Sequence, residues 1–192
     1  AEACCAALDE RNVLQQPVYL IAPTQPQAKI IYWRQLIDKL YSVIVNTNVN
    51  EGHITLNNGV LIGVKGADNP DTLRGPGLWF AVLDEYASMK PFVWNEIIRP
   101  ALADSRGRAM FIGTPAGRNH FYTTYEHARM SNDPDWKAWH FESILNPYLP
   151  VGEIEAARRT MSTAAFNKEF RASFATGSGG VFKAEHLKIV DA

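Results

Sequence analysis

Two adjacent carboxylates, Asp84 and Glu85, close the apolar run LWFAVL at residues 78–83. A buried strand that ends in paired acids offers two separate services. The first carboxylate can help hold a hard divalent cation such as Mg²⁺, and the second can polarise a water for attack on a phosphoryl group. Neutral or amide side chains could not do both. A plainer use of the same pair stays open, with Asp84 capping the following turn and Glu85 solvated. A second apolar run, AMFI at residues 109–112, leads into Gly113-Thr114-Pro115-Ala116-Gly117. Thr114 places a hydroxyl in a loop shaped by glycine and proline, suited to sensing a phosphate or an ordered water and passing that state to the next segment. The same five residues also suit an ordinary surface turn.

Strands must position these groups. The run VYLIA at residues 18–22 has the continuous apolar character of a buried parallel strand, and Pro23 ends it. Residues 25–43 carry Ala28, Ile31, Leu36, Ile37 and Leu40 on one helical face and leave Lys29, Arg34 and Lys39 to solvent. Residues 54–64 alternate around Asn58-Gly59, which reads as a hairpin inserted into the fold. Residues 91–103 read as a helix broken at Pro100, 109–112 as a third buried strand, 120–130 as a helix and 136–141 as a strand. Two further helices are expected at 152–160 and 164–174, and residues 1–14 are rich in helix formers. Alternating strands and helices predict a three-layer α/β fold, a mostly parallel sheet with helices on both faces. Ligands of such open sheets bind beyond the carboxyl ends of the strands, which makes Asp84-Glu85 and Gly113-Thr114 one candidate site.

Bulk properties restrict the alternatives. A chain of 192 residues with 46% hydrophobic and 20% charged residues has the length and composition to bury a sizeable core. No apolar run is long enough to span a bilayer, so no membrane role is expected. Cys4 and Cys5 are adjacent and have no third cysteine to bridge to, as suits a reducing compartment. His53, His120, His127, His140 and His186 lack metal-ligand spacing, which argues against a zinc site. With a net charge of −1, any grip on nucleic acid must come from local clusters. Two are available: Arg106, Arg108, Arg118, His120 and Arg129 around the glycine-threonine loop, and Lys29, Arg34 and Lys39 on one helix; a solvated charged face is the commoner use of such runs. Tyr32, Trp33, Trp79 and Phe80 are expected in the core and not as base-stacking residues.

The segment LRGPGLWFAVLDEYA followed by FIGTPAGRNHFY resembles the Walker B segment and coupling motif of bacteriophage large terminases, in that order. YLIAPTQPQAKIIYW resembles the segment after that family's Walker A helix, and LNPYLPVGEIEAARR with FNKEFRASF resembles the stretch leading to its nuclease domain. The resemblance covers nearly the whole chain. It implies an ASCE-type P-loop NTPase fold and an ATPase that drives double-stranded DNA into a procapsid, with ATP and Mg²⁺ as cofactors. It further implies Asp84 as the Mg²⁺-associated acid, Glu85 as the catalytic carboxylate, Gly113 and Thr114 at the nucleotide with Thr114 coupling, and Arg74 as an arginine finger reaching a neighbouring subunit. Implied partners are double-stranded DNA, the portal protein, the small terminase subunit and further copies in a ring. The implied setting is the cytoplasm of an infected bacterium, at the procapsid portal.

One motif of that family is missing: no G-x-x-x-x-G-K-[ST] sequence occurs. The opening residues AEACCAAL read as the interior of the helix that follows such a loop, so residues 1–176 are expected to form an ATPase domain entered after its Walker A element. Gly177-Ser178-Gly179-Gly180 then opens a linker, residues 177–192, toward a nuclease domain that is not in the sequence. Two other readings use the same residues: a superfamily 2 helicase-like translocase, and a non-catalytic scaffold that docks on DNA or a portal without binding ATP.

Overall fold

The computed structural model describes residues 1–75 and 77–175, so the expected linker at 177–192 lies outside the described residues. Two compact units emerge, Ala1–Gly113 and a second that starts at Thr114.

The first unit runs α1 (Glu2–Ala7), β1 (Val18–Ala22), α2 (Gln25–Ala28, a π segment Lys29–Trp33 and Arg34–Leu40), β2 (Ile44–Asn48), β3 (His53–Leu56) and β4 (Leu61–Gly66). A 3₁₀ turn (Pro70–Leu73), β5 (Phe80–Leu83), a second 3₁₀ turn (Tyr86–Ser88), α3 (a π segment Val93–Ile98 and then Arg99–Ala103) and β6 (Arg108–Phe111) complete it. The sheet order is β2-β3-β4-β1-β5-β6. β1 lies between β4 and β5, parallel to both, and β6 is parallel to β5, while β2-β3 and β3-β4 are antiparallel. The sheet is therefore mixed and mostly parallel.

Every residue of β1 and β5 is buried, so both faces of the central sheet are covered. On one face Val18, Leu20 and Ala22 of β1 and Phe80 and Val82 of β5 join Ala3, Ala6 and Ala7 of α1 and Leu36 and Leu40 of α2 in one hydrophobic cluster. The opposite face carries Ile21 and Leu83, paired in register, and Leu83 pairs in turn with Phe111 of β6. Trp94 of α3 meets Phe111 edge-on, with centroids 4.7 Å apart, which lays α3 on that second face. Helices on both faces follow.

The Asn58-Gly59 turn forms as read. Gly59 has φ +86°, a conformation that favours glycine; a Cβ there would meet only the end of the exposed Gln15 side chain, 2.4 Å from its Oε1, which can swing aside. The hairpin is no appendage, however. Its second strand, β4, is an inner strand paired to β1 from Val18↔Ile62 to Ala22↔Gly66. β2 extends the antiparallel side, and no sequence pattern announces it: Ile44 and Val45 are followed by Asn46, Thr47 and Asn48, most of the strand is exposed, and no apolar period can be read.

Other expectations need correcting. α1 stops at Ala7, where Asp9, Asn12 and Gln15 form successive turns in place of further helix. Asn12, only 6% exposed, holds this connection by donating from Nδ2 to the Gln16 carbonyl and accepting the Gln16 N–H, both at 2.8 Å. α3 is not broken at Pro100, because the wide π segment Val93–Ile98 precedes it and accommodates a residue without an N–H to donate. β6 is half-buried and not fully buried, being the last strand of the order.

The second unit contains α4 (His120–Met130), a 3₁₀ turn (Ser143–Leu145), α5 (Val151–Thr160) and α6 (Thr163–Arg171). Asn119 caps α4 by accepting the N–H groups of Phe121 and Tyr122, and Ser162 caps α6 by accepting that of Ala165. Residues 136–141 form no strand: Trp139 and Phe141 are exposed, and His140 Nε2 donates to the carbonyls of Arg171 and Ala172 at 2.9 and 3.1 Å. The ring of Phe174 sits against Phe121, Tyr122 and Tyr125 of α4, with centroids 5.2 to 5.6 Å apart.

Candidate functional site at the carboxyl edge of the sheet

β1, β5 and β6 end side by side, and the backbone just beyond β5 is stitched to both neighbours. The Asp84 N–H donates to the Ile21 carbonyl at 2.8 Å, the Ile112 N–H to Leu83 at 2.9 Å, and the Tyr86 N–H to Ile112 at 3.0 Å. These bonds fix where the chain must turn. Glu85 takes the turn in the left-handed conformation, φ 54° and ψ 41°, which disfavours a residue with a Cβ by roughly 1–2 kcal/mol. Such a conformation persists only where its surroundings over-determine it. Here the flanking bonds and the buried Tyr86, whose ring lies 4.7 Å from that of Phe111, hold the chain on both sides of Glu85.

Gly113 completes this corner. Its φ is +157°, and a Cβ would stand 3.2 Å from the Glu85 Cα and 3.3 Å from the Tyr86 nitrogen, so the absence of a side chain permits the close approach. Asp84, Glu85 and Gly113 are therefore brought together, as the sequence predicts. Thr114 is the next residue in the chain and the first of the second unit. It is half-buried, in the irregular stretch 112–119.

Asp84 is half-buried and held at both oxygens. Oδ1 accepts the N–H of Glu85 at 3.0 Å, and Oδ2 accepts the hydroxyl of Tyr32 at 2.6 Å. Burial first, and then this bond to a carboxylate, push the Tyr32 phenol above its ordinary pKa, so the hydroxyl remains a donor through the neutral range. The N–H that Asp84 binds is that of the very next residue, which differs from a helix cap reaching two or three residues ahead. Tyr32 is 52 residues from Asp84 and comes from the π segment of α2. Its sequence context suggests only a core aromatic, and no local pattern marks its hydroxyl for the site. Trp33 and Trp79 do pack against the core, and Phe80 is buried in it.

Among the described residues no group of three or more His, Cys, Asp or Glu is arranged to hold a metal ion. Mg²⁺ does not need one, since it is commonly bound through one or two carboxylates together with phosphate oxygens and water. Asp84 supplies a hard oxygen donor with a lone pair to spare on each oxygen, which fits that mode of binding. No G-x-x-x-x-G-K-[ST] sequence, the loop whose backbone N–H groups cradle phosphates, occurs in these 192 residues.

Arg74 follows the Pro70–Leu73 turn, which the buried Leu73 anchors. Its guanidinium is exposed and lies 3.6 Å from Asp71 of the same turn, an arrangement of little energetic weight. Several of the basic residues considered for nucleic acid are engaged within the protein. Lys29 donates to the Asn50 carbonyl, Arg108 lies 3.8 Å from Asp9, and Arg129 forms a two-bond pair with Glu126. Arg118 lies over the Tyr122 ring, and Arg34 faces Asp38 at 3.7 Å. No described helix is long and apolar enough to cross a membrane.

Open α/β sheets bind their ligands beyond the carboxyl ends of the strands, where this acid pair lies, and comparison with known proteins identifies the family. The family model described as "Terminase large subunit, T4likevirus-type, N-terminal" matches residues 1–189. The large terminase subunit of Escherichia phage T5 is 31% identical over 170 residues, covering 86% of this chain and 39% of that protein. That of Thermus phage G20c is 30% identical over 208 residues, covering 90% and 42%. Among solved structures, the ATPase domain of the Thermus phage P74-26 large terminase superposes with a TM-score of 0.71 at 25% identity, covering 91% of this chain and 84% of that one. The large terminase of another thermophilic bacteriophage, solved in complex with ADP, shares the fold at a TM-score of 0.66 and 16% identity, over 83% of this chain and 40% of that one. The chain belongs to the terminase large-subunit family and matches its N-terminal region. It spans about two-fifths of the length of these curated relatives.

Proposed function

We propose that this chain forms most of the ATP-hydrolysing domain of a terminase large subunit, which couples hydrolysis to translocation of double-stranded DNA into a procapsid. The observation that carries this reading is the corner at the end of β5. There Asp84 is held by two hydrogen bonds, Glu85 is turned left-handed, and Gly113 is packed against the Glu85 backbone.

In this reading Glu85 orients and polarises the attacking water, and the stitched backbone corner sets the point from which its side chain leaves the sheet edge. Asp84 would hold Mg²⁺, which when bound neutralises charge that develops on the phosphate oxygens. Thr114, where the second unit begins, carries the coupling role, and Arg74 acts on the nucleotide of a neighbouring copy in a ring. A nucleotide ligand suits this fold, since the thermophilic-phage large terminase that shares it was solved with ADP and with ATP-γ-S. The portal protein and the small terminase subunit are the further partners, and the site of action is the procapsid portal in the cytoplasm of the infected bacterium.

Two experiments test the reading. The 192-residue polypeptide by itself should bind a slowly hydrolysed ATP analogue weakly in isothermal titration, and micromolar affinity would show that the nucleotide lies elsewhere. In a full-length subunit that contains the phosphate loop, Glu85→Gln should leave ATP binding nearly intact while slowing turnover by roughly two orders of magnitude or more, the scale of a lost general base. Wild-type turnover in Glu85→Gln would remove Glu85 from the mechanism.

A further inference from the structure

We propose that Tyr32 is a positioning residue for the acid pair: its hydroxyl locks the Asp84 carboxylate in the orientation from which it serves the divalent cation. The proposal rests on Asp84 being the Mg²⁺-associated acid.

A carboxylate on its own turns easily, because its terminal torsion has a broad, roughly two-fold profile. Asp84 has lost that freedom. One oxygen is tied to the N–H of Glu85 in its own loop, and the other to the Tyr32 hydroxyl at 2.6 Å, a charge-assisted bond of the short, strong kind. The two donors approach different oxygens from different elements, so rotation of the carboxylate would break both bonds. Each oxygen keeps one acceptor direction, and those directions are fixed as well.

Tyr32 can act as a clamp because it is itself held. Its ring packs against the hydrophobic cluster under β1 and β5. Its backbone belongs to the π segment Lys29–Trp33, a widened turn that changes the direction in which following side chains leave the helix and that is frequent at functional sites. α2 is anchored ahead of this segment and at its first residue: the Thr24 side chain accepts the Gln27 N–H, Gln25 Nε2 donates to the Glu51 carbonyl at 3.2 Å, and Lys29 Nζ donates to the Asn50 carbonyl at 3.1 Å. Packing alone would be served equally by phenylalanine. The hydroxyl adds only the bond to Asp84, and burying it would be unfavourable without that partner.

The test uses the full-length subunit with a slowly hydrolysed ATP analogue and Mn²⁺ in place of Mg²⁺, with bound Mn²⁺ read by electron paramagnetic resonance. Tyr32→Phe should weaken Mn²⁺ binding in the nucleotide complex by roughly tenfold, the scale of one hydrogen bond to a charged group. Nucleotide affinity without metal should stay unchanged. In an Asp84→Asn background the same Tyr32→Phe change should add less than about twofold, because a residue that acts through Asp84 has nothing left to position. An unchanged Mn²⁺ affinity in Asp84→Asn alone would remove the reading of Asp84 on which the proposal rests. Weakened binding in Asp84→Asn with none in Tyr32→Phe would overturn the proposal and leave that reading standing. Equal weakening by Tyr32→Phe in both backgrounds, or failure of Tyr32→Phe to fold, would make the tyrosine merely structural and overturn it too.

Discussion

Replacing Glu85 by glycine should stabilise the protein relative to replacing it by alanine, while both changes remove the carboxylate. Glu85 sits at φ 54° and ψ 41°, where a Cβ crowds the following carbonyl at a cost of roughly 1–2 kcal/mol that glycine does not incur. Glycine also gives the unfolded chain more freedom, which offsets about 0.4–1 kcal/mol of that gain. At the middle of both ranges the net advantage of Glu85→Gly over Glu85→Ala is about 0.8 kcal/mol. For a chain of this size that corresponds to a melting temperature about 1–4 °C higher. Alanine is the proper reference, since both variants lose every contact of the Glu85 side chain beyond Cβ and differ only in the backbone term. Thermal unfolding of the two variants side by side, followed by circular dichroism, measures the difference. If Glu85→Ala proved as stable as Glu85→Gly, no strain would be stored at this corner, and the argument that the stitched backbone forces it would fail.

Three further outcomes are expected. Asn12→Ala should lower stability by about 1–2 kcal/mol in urea unfolding, because it removes two hydrogen bonds to the half-buried Gln16 backbone in the turn before β1. His53 accepts a hydrogen bond from Lys65 at its Nε2, 2.6 Å away, and its Nδ1 faces Glu51 at 3.1 Å. Burial first, and then the Lys65 charge, lower its pKa below the ordinary value of 6.5. The unfolded chain thus binds the proton more readily, and stability should rise with pH between the depressed folded value and about 6.5. Subtracting the melting profile of His53→Gln from that of the wild type across roughly pH 5 to 8, the range in which histidine titrates, isolates this rise, and a flat difference would refute it. Arg74→Ala in an assembled ring should lose most ATPase activity, on the order of 10³-fold or more if Arg74 is an arginine finger, yet regain part of it when mixed with Glu85→Gln subunits. No recovery in rings demonstrated to be mixed would argue against action between subunits.

Much of the site is legible in the sequence because its signals are local. The run LWFAVL closed by Asp84-Glu85 specifies a buried strand with acids at its end wherever that strand lies, since continuous apolar character and an abrupt polar stop are properties of neighbouring residues. Asn58-Gly59 likewise fixes its own turn, through an αL glycine and an asparagine side chain that accepts the Val60 N–H. Periodicity fails at residues 136–141, where alternating residues find no partner strand, and at β2, an edge strand too polar to show a period. Strandness in both cases depends on what lies alongside.

By itself, then, the sequence determined the chemical types at the site and the strands that carry them. Only the tertiary structure decided how they meet. It placed the second strand of the hairpin beside β1, turned Glu85 left-handed between backbone bonds on both sides, and favoured glycine at 113 through a positive φ and the close Glu85 backbone. It also brought the Tyr32 hydroxyl to Asp84 across 52 residues. Hydrogen bonds and close approaches between distant segments depend on the packing of the whole sheet, and a pattern read within a window of neighbouring residues carries no trace of them.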